Sequence, residues 1–276
     1  MKLVVFTKLF KEKSLAELAG FAHDAKLDGF DLCVRRGYDV NPANVLTELP
    51  AAANFFAREG LSIAMVTGDF DVLLPDHATA EPHLAAMDKA GVRFLKLGYF
   101  HFDPRKQDYW PEVDRIRRAF EGWQELSRRH HVKVCYHTHS HGCMGLNCAS
   151  LAHLVRGFDP QCIGAYIDPL HMLLEGEEFP VGAAMVKEHL SLVALKDVLI
   201  TRQERNGHGA PAHKVVRAGE GMVDWTVVFD ELSRIGFDGP LTVHCEFDVP
   251  KEEFAAAARH DAAFFRGQIE KRRPRP

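Results

Sequence analysis

The chain has 276 residues, 46% hydrophobic and 26% charged, the balance of an ordinary globular protein and not of a disordered or fibrous one. A formal charge of −4 with a pI near 6.5 excludes the basic footprint of a general nucleic-acid binder. No apolar run reaches the length of a membrane span, and the six cysteines form no CxxC pair, so the expectation is a reduced, cytoplasmic protein without a membrane anchor or nucleic-acid partner.

Met1 to Phe6 reads as an opening strand; it is too short for a signal peptide and has no small-residue cleavage site. Ser14-Leu15-Ala16-Glu17 has capping-box spacing and opens a helix to about Lys26. Gly29 to Val34 is a second strand, ending in Arg35. A helical region from Asn41-Pro42 is expected to be divided by Pro50 before it runs on to Gly60. Leu61 to Val66 is the third strand, followed by the turn Thr67-Gly68-Asp69. An alanine-rich helix then ends at Gly91, and Val92 to Lys96 makes the fourth strand. The amphipathic segment from about Asp108 to His130 leads into the apolar run Val132 to Cys135, the fifth.

Directly after that run comes Tyr136-His137-Thr138-His139-Ser140-His141-Gly142. Strand alternation sends Cys135, His137 and His139 to one face and Tyr136 and Thr138 to the other. Imidazoles in this arrangement are either a surface-loop cluster or metal ligands and acid–base groups. Ala149 to Val155 is helical, and the sixth strand, Ile163 to Ile167, ends in Asp168-Pro169-Leu170-His171. A helix over Ala183 to His189 precedes the seventh strand, Leu192 to Leu195, which is closed by Lys196-Asp197. Residues Thr201 to Glu220, polar and rich in Gly, Arg and His, read as a long active-site loop. Trp225 to Ile235 is helical, Leu241 to Cys245 is the eighth strand, a last helix follows Pro250, and Lys271 to Pro276 is a basic tail.

Eight short apolar strands alternating with helices call for parallel strands and crossover helices, and at this length they fit one (β/α)₈ barrel over residues 1–276. A doubly wound open sheet would want a Gly-rich phosphate turn after an early strand, and none is present. In such a barrel the site lies at the C-terminal strand ends. Those ends carry Arg35, Asp69, Lys96, His101, His137, His139, Asp168, His171, Lys196, His244 and Glu246, whereas the opposite ends carry turn residues such as Gly29, Gly60 and Gly91. This asymmetry points to an enzyme. His137 with Asp168 is a carboxylate–imidazole set suited to zinc, manganese or iron, and His171 follows past a stiffening proline. His244 and Glu246 share a face, so Glu246 either binds metal or acts as a general base whose pKa burial raises. Lys196 either pairs with Asp197 or stabilises a substrate oxyanion or enolate. Arg35, Lys96, His171 and Arg217 are candidates for holding substrate.

Five segments together resemble the xylose-isomerase-like TIM barrels, the sugar phosphate isomerase/epimerase superfamily that also includes inosose dehydratases and endonuclease-IV-type nucleases. They are Gly29-Phe30-Asp31-Leu32 with Arg35, Tyr136-His137-Thr138-His139, Asp168-Pro169-Leu170-His171, Leu195-Lys196-Asp197-Val198, and Gly219-Glu220-Gly221-Met222-Val223-Asp224 before Gly239-Pro240-Leu241-Thr242-Val243. The resemblance implies one divalent ion, often manganese, held by Glu, Asp, His and Glu at the ends of strands five to eight, with the two glutamates moving protons. Here the corresponding positions are His137, Asp168, Ala194 and His244, with Glu246 two residues later. Two outcomes follow from that departure. Either a divalent ion (Mn, Zn or Fe) is re-ligated by His137, Asp168, His244 and a neighbour such as Glu246, His139 or His171, or the site works without metal. The nuclease branch would need a larger ligand set and a basic surface that this chain lacks.

The expected activity is isomerisation or epimerisation of a small polyhydroxylated carbohydrate or keto-sugar, by proton abstraction next to a carbonyl. Glu246, His244, Lys196 and His139 would carry the catalysis. The alternatives are a keto-sugar dehydratase and an inactive sugar-binding barrel; self-association into a homo-oligomer stays open.

Overall fold

The computed structural model describes residues 1–69 and 71–272, so residues 273–276 of the expected tail lie outside the described residues. In chain order the strands are β1 (Lys2–Phe6), β2 (Gly29–Cys33), β3 (Ser62–Thr67), β4 (Phe94–Lys96), β5 (Lys133–His137), β6 (Ile163–Ile167), β7 (Leu190–Leu195), β8 (Asp197–Arg205), β9 (His208–Val216) and β10 (Pro240–Val243). β1 to β7 pair with their sequence neighbours in parallel, and β10 closes the ring between β7 and β1. The sequence expectation of a (β/α)₈ barrel holds. Helices α1 (Leu15–Asp24), α2 (Val45–Arg58), α3 (Ala80–Ala90), α4 (Tyr109–His130), α5 (Cys148–Val155), α6 (Pro169–Leu174), α7 (Phe179–Met185), α8 (Trp225–Arg234) and α9 (Phe254–Glu270) surround it.

Alternation along the strands divides the apolar residues in two. Met65, Cys135, Tyr166, Leu192 and Ala194 form a small cluster of their own inside the barrel. The larger core, with Trp123, Phe120, Phe229 and Phe265, fills the layer between strands and helices. Gly29 opens β2 with φ +147°, and a Cβ there would lie 1.8 Å from the Ser62 carbonyl oxygen, so the β2–β3 approach admits no side chain.

Three local expectations need correction. Pro50 does not divide α2, because Val45, Leu49, Ala52 and Phe56 form one buried face whose packing outweighs the backbone bond that the proline removes. The helix expected over Ala183 to His189 runs instead from Phe179 to Met185, with Pro180 in its first turn, where a missing N–H costs nothing. The expected loop over Thr201 to Glu220 is mostly a hairpin of β8 and β9 in antiparallel register. Its two-residue turn, Asn206-Gly207, has φ +52° and +77°, the positive-φ pair that a type I′ turn needs.

Asp197 does not pair with Lys196, as one sequence reading allowed. Fully buried, it faces the opposite way and accepts hydrogen bonds from the backbone N–H groups of Val198, Gly219, Gly221 and Val223 and from the Trp225 indole, at 2.9–3.3 Å. A Cβ on Gly221 would meet Asp197 Oδ1 at 2.1 Å, which accounts for the glycine in Gly219-Glu220-Gly221. Asp197→Ala strands several buried donors and is expected to cost about 2–3 kcal/mol in denaturant unfolding. A midpoint unchanged from wild type would remove Asp197 from this supporting role.

Candidate active site

The chemistry at the C-terminal strand ends follows from alternation. Leu192, Ala194 and Lys196 succeed one another on the inner face, which brings a lysine to the barrel mouth. The Lys196 ammonium, 4% exposed, lies 3.1 Å from Asp168 Oδ2, 3.1 Å from Glu246 Oε2 and 3.1 Å from His171 Nε2. Asp168 caps α6 by accepting from the Leu170 N–H at 2.9 Å, and His171 lies one turn into the same helix. An ammonium only donates, so His171 Nε2 presents its lone pair to Lys196, while Nδ1 lies 2.9 Å from Ser140 Oγ and 3.3 Å from the Ser140 backbone nitrogen. Burial pulls the lysine pKa down, but the charges of Asp168 and Glu246 outweigh it and hold Lys196 above its ordinary range. Burial also lifts Asp168 to about 6 against the pull of Lys196.

Glu246 is bracketed. Its second oxygen, Oε1, meets Lys8 Nζ at 2.5 Å, so each carboxylate oxygen faces an ammonium. Burial favours protonation, yet Lys196, His244 and Lys8 overcome it and drive the pKa far below the usual carboxylate range. The sequence expectation of a raised pKa for a Glu246 base is therefore reversed, because two cations turn toward it where a general base needs an apolar wall.

Four imidazoles pack beside these charges. His137 Nδ1 meets the Tyr99 hydroxyl at 2.8 Å, and its Nε2 lies 3.6 Å from Asp168 Oδ2. The rings of His139 and His171 are 4.1 Å apart, and His244 Nε2 meets the Tyr166 hydroxyl at 2.8 Å. Burial is the main cause that lowers all four pKa values, with Lys196 adding to it. His139 and His244 fall to about 4, and His137 and His171 well below the usual range. All four rings are neutral at pH 7.

Lys96 at the end of β4 differs from Lys196. Its ammonium sits 3.8 Å from the centre of the Tyr99 ring, with no hydrogen bond or ion pair among the described residues. Burial, reinforced by Arg35, lowers its pKa to about 7. Beneath it Asp31, fully buried, accepts from Thr67 Oγ1 at 2.7 Å and Thr242 Oγ1 at 3.3 Å, and burial raises its carboxyl to about 7. Arg35 Nε donates to the Gly68 carbonyl at 2.9 Å.

Arg35, Lys96, His137, His139, Lys196, His244 and Glu246 thus line one cavity, with Asp168 and His171 packed against Lys196 behind it. Arg217 does not belong there. It is exposed, ion-paired with Glu220 and lines a separate cavity with Phe247, Asp248 and Glu253, because the chain leaving β9 turns toward α9. His101 is exposed, and His141 stacks on His213 of β9 with ring centres 5.0 Å apart, so the hairpin leans on the histidine loop. Sequence reasoning missed Lys8, Tyr99, Tyr166 and Asp31. An aspartate inside the apolar strand Gly29–Cys33 was a readable signal; the tyrosines, which pass for core residues, gave none.

A closed parallel barrel with ionisable side chains gathered at its C-terminal mouth defines an enzyme-type (β/α)₈ architecture. The chain belongs to the xylose isomerase-like TIM barrel family, which matches residues 19–268. A curated relative, the inosose dehydratase of Lacticaseibacillus casei, is 23% identical over 168 residues, 57% of this chain and 56% of that protein. The chain therefore spans just over half the length of that relative. Among solved structures, the apo form of 3-keto-D-glucoside 4-epimerase from E. coli superposes with a TM-score of 0.76 at 16% identity, over 97% of this chain and 99% of the other. The IolI protein with a bound zinc atom gives a TM-score of 0.73 at 14% identity, over 98% and 99%. At these identities the two structures share the fold.

A zinc atom in one of them makes it necessary to ask whether the residues here fit a divalent ion. In favour, His137 Nε2 is buried without a hydrogen-bond partner among the described residues and stands 3.6 Å from Asp168 Oδ2, which is ion-paired with Lys196. Against, the Lys196 ammonium fills the space between Asp168, His171 and Glu246, and position 194 supplies only a methyl group. Among the described residues no three His, Cys, Asp or Glu side chains form a group able to hold an ion. With Lys196 in place, the donor set does not fit a resident divalent metal.

Proposed function

We propose that the protein is a keto-sugar isomerase or epimerase that moves a proton on the carbon next to a carbonyl. The observation that carries this reading is the state of His139. Its Nδ1 lies 2.9 Å from the Ser140 carbonyl oxygen, which only accepts, so Nδ1 holds the proton and Nε2 presents a lone pair. No hydrogen-bond partner for Nε2 is present among the described residues, and the ring lines the cavity. A neutral imidazole with an uncommitted lone pair in a partly closed mouth is equipped as a general base. Negative charge developing on the substrate raises its basicity at the moment the proton moves.

Lys96 is the ammonium available to hold the developing oxyanion, since the three protons of Lys196 already face three acceptors. Arg35 flanks the same cavity as a second substrate contact, and His244, tied to the Tyr166 hydroxyl, is the candidate to return a proton from another side. Glu246 and His171 then serve by placing Lys196. A small carbohydrate is the proposed partner, without nucleic acid or membrane; among the described residues no helix is long and apolar enough to cross a membrane. Six buried thiols, none bridged, support a reducing cytoplasmic setting.

The likeness to an inosose dehydratase favours a second reading, loss of water from a keto-sugar, which starts from the same proton abstraction. Product analysis by NMR over a panel of ketoses and keto-glycosides separates the two. An epimer or aldose isomer supports the first reading, an unsaturated or deoxy-keto product the second, and no turnover of any member would remove both.

The role of Lys96 carries a pH signature. Its pKa of about 7 means that charge, and the activity that depends on it, is lost as pH rises through 7. His139 and His244, near 4, stay neutral down to that pH and set the acid limb. Lys96→Arg, which cannot deprotonate, is expected to extend the alkaline limb of kcat/KM by about two pH units or more. An alkaline limb that does not move would take the oxyanion role away from Lys96.

A further inference from the structure

We infer that the Lys196 ammonium is a built-in substitute for the divalent cation, so that the barrel mouth is organised around a fixed lysine charge and needs no metal. The inference concerns the cation of the site and rests on the proposed reaction only for its catalytic consequence. Two elements supply the acceptors: Asp168 and His171 lie at the start of α6 and Glu246 in the segment after β10, while Lys196 itself directly follows β7. All three lie 3.1 Å from Nζ, which is hydrogen-bonded to His171 and Glu246 and ion-paired with Asp168. A zinc or manganese ion bonded to those oxygens and that nitrogen at about 2.0–2.2 Å would fall within the space of the ammonium.

Charge leads to the same conclusion. Asp168 and Glu246 are matched by Lys196 and Lys8, and Lys96 adds a further cation at the same mouth, so a divalent ion would enter an environment already neutral or positive. Ala194 removes a donor on the very strand that delivers the lysine two residues later. An ammonium cannot exchange a ligand for a substrate oxygen as a metal does. Substrate contacts therefore fall to other groups at the mouth, and Lys196 is a positioning residue.

The test needs no substrate. Chelator-treated wild-type protein is titrated with Mn²⁺ and Zn²⁺ by calorimetry and native mass spectrometry, and is expected to take up no stoichiometric ion. Lys196→Ala vacates the space and leaves Asp168, His171, His137 and Glu246 around it. That variant is expected to bind one Mn²⁺ or Zn²⁺ per chain at least about a hundredfold more tightly than wild type, and to gain thermal stability when the ion is added. Lys196→Ser is the second variant should the alanine protein not fold. Wild type that binds one ion, lost in Asp168→Ala, would overturn the inference, as would folded Lys196 variants that bind none. If neither variant folds with or without metal, the wild-type titration decides alone. A wild type that excludes metal but turns over no ketose would sink the proposed function and leave this inference intact.

Discussion

Replacing His139 with asparagine is expected to lower kcat by about 10²–10⁴-fold, the usual contribution of a general base. The asparagine amide can keep the hydrogen bond to the Ser140 carbonyl, so the loop conformation is retained while the basic lone pair is removed. KM should change little, because no substrate contact is assigned to this ring. Turnover within a few-fold of wild type would transfer the base role to His244, the other cavity imidazole lowered to about 4. Glu246→Gln serves as the contrast. It weakens the contacts to Lys196 and Lys8 without removing a base, so its effect should track the displacement of Lys196 and should not change the position of the acid limb.

The second large effect is on stability. Asp168→Ala removes the α6 cap and leaves the Lys196 ammonium, 4% exposed, with one carboxylate in place of two. Breaking a buried ion pair from one side typically costs about 3–5 kcal/mol, because the remaining charge stays desolvated. Adding Lys196→Met to Asp168→Ala removes that stranded charge and should recover part of the loss. Strictly additive losses from the two substitutions would show that Asp168 and Lys196 are not coupled.

Much of this arrangement was readable from the chain. The alternation in Cys135 to His139 correctly set His137 and His139 on the cavity side, and it set His244 and Glu246 on one face at the end of the last barrel strand. Periodicity sufficed there because a buried strand offers only two directions for a side chain. The hairpin of β8 and β9 escaped because its exposed polar strands carry no apolar alternation; Asn206-Gly207 was the one local signal.

What no periodicity could supply was the pairing across the barrel. Lys8 follows β1 and Glu246 follows β10, 238 positions apart in the sequence, and only closure of the barrel brings them to 2.5 Å. That contact, with Lys196 on the other oxygen, reverses the expected protonation behaviour of Glu246. The Lys196–Asp197 pair, one of two readings the sequence allows, fails for a related reason. Adjacent residues at the end of a strand point to opposite sides, so Lys196 and Asp197 were never placed to meet.

Proton movement on the carbon next to a carbonyl is the reaction proposed for this mouth. It is tested most directly by incubating the protein with the active ketose in deuterated water and following the α-carbon by NMR. Wild type should place solvent deuterium on that carbon in product or recovered substrate, and His139→Asn should slow incorporation in step with turnover. Conversion of substrate with no deuterium at the α-carbon, under conditions where His139→Asn is inactive, would contradict the account.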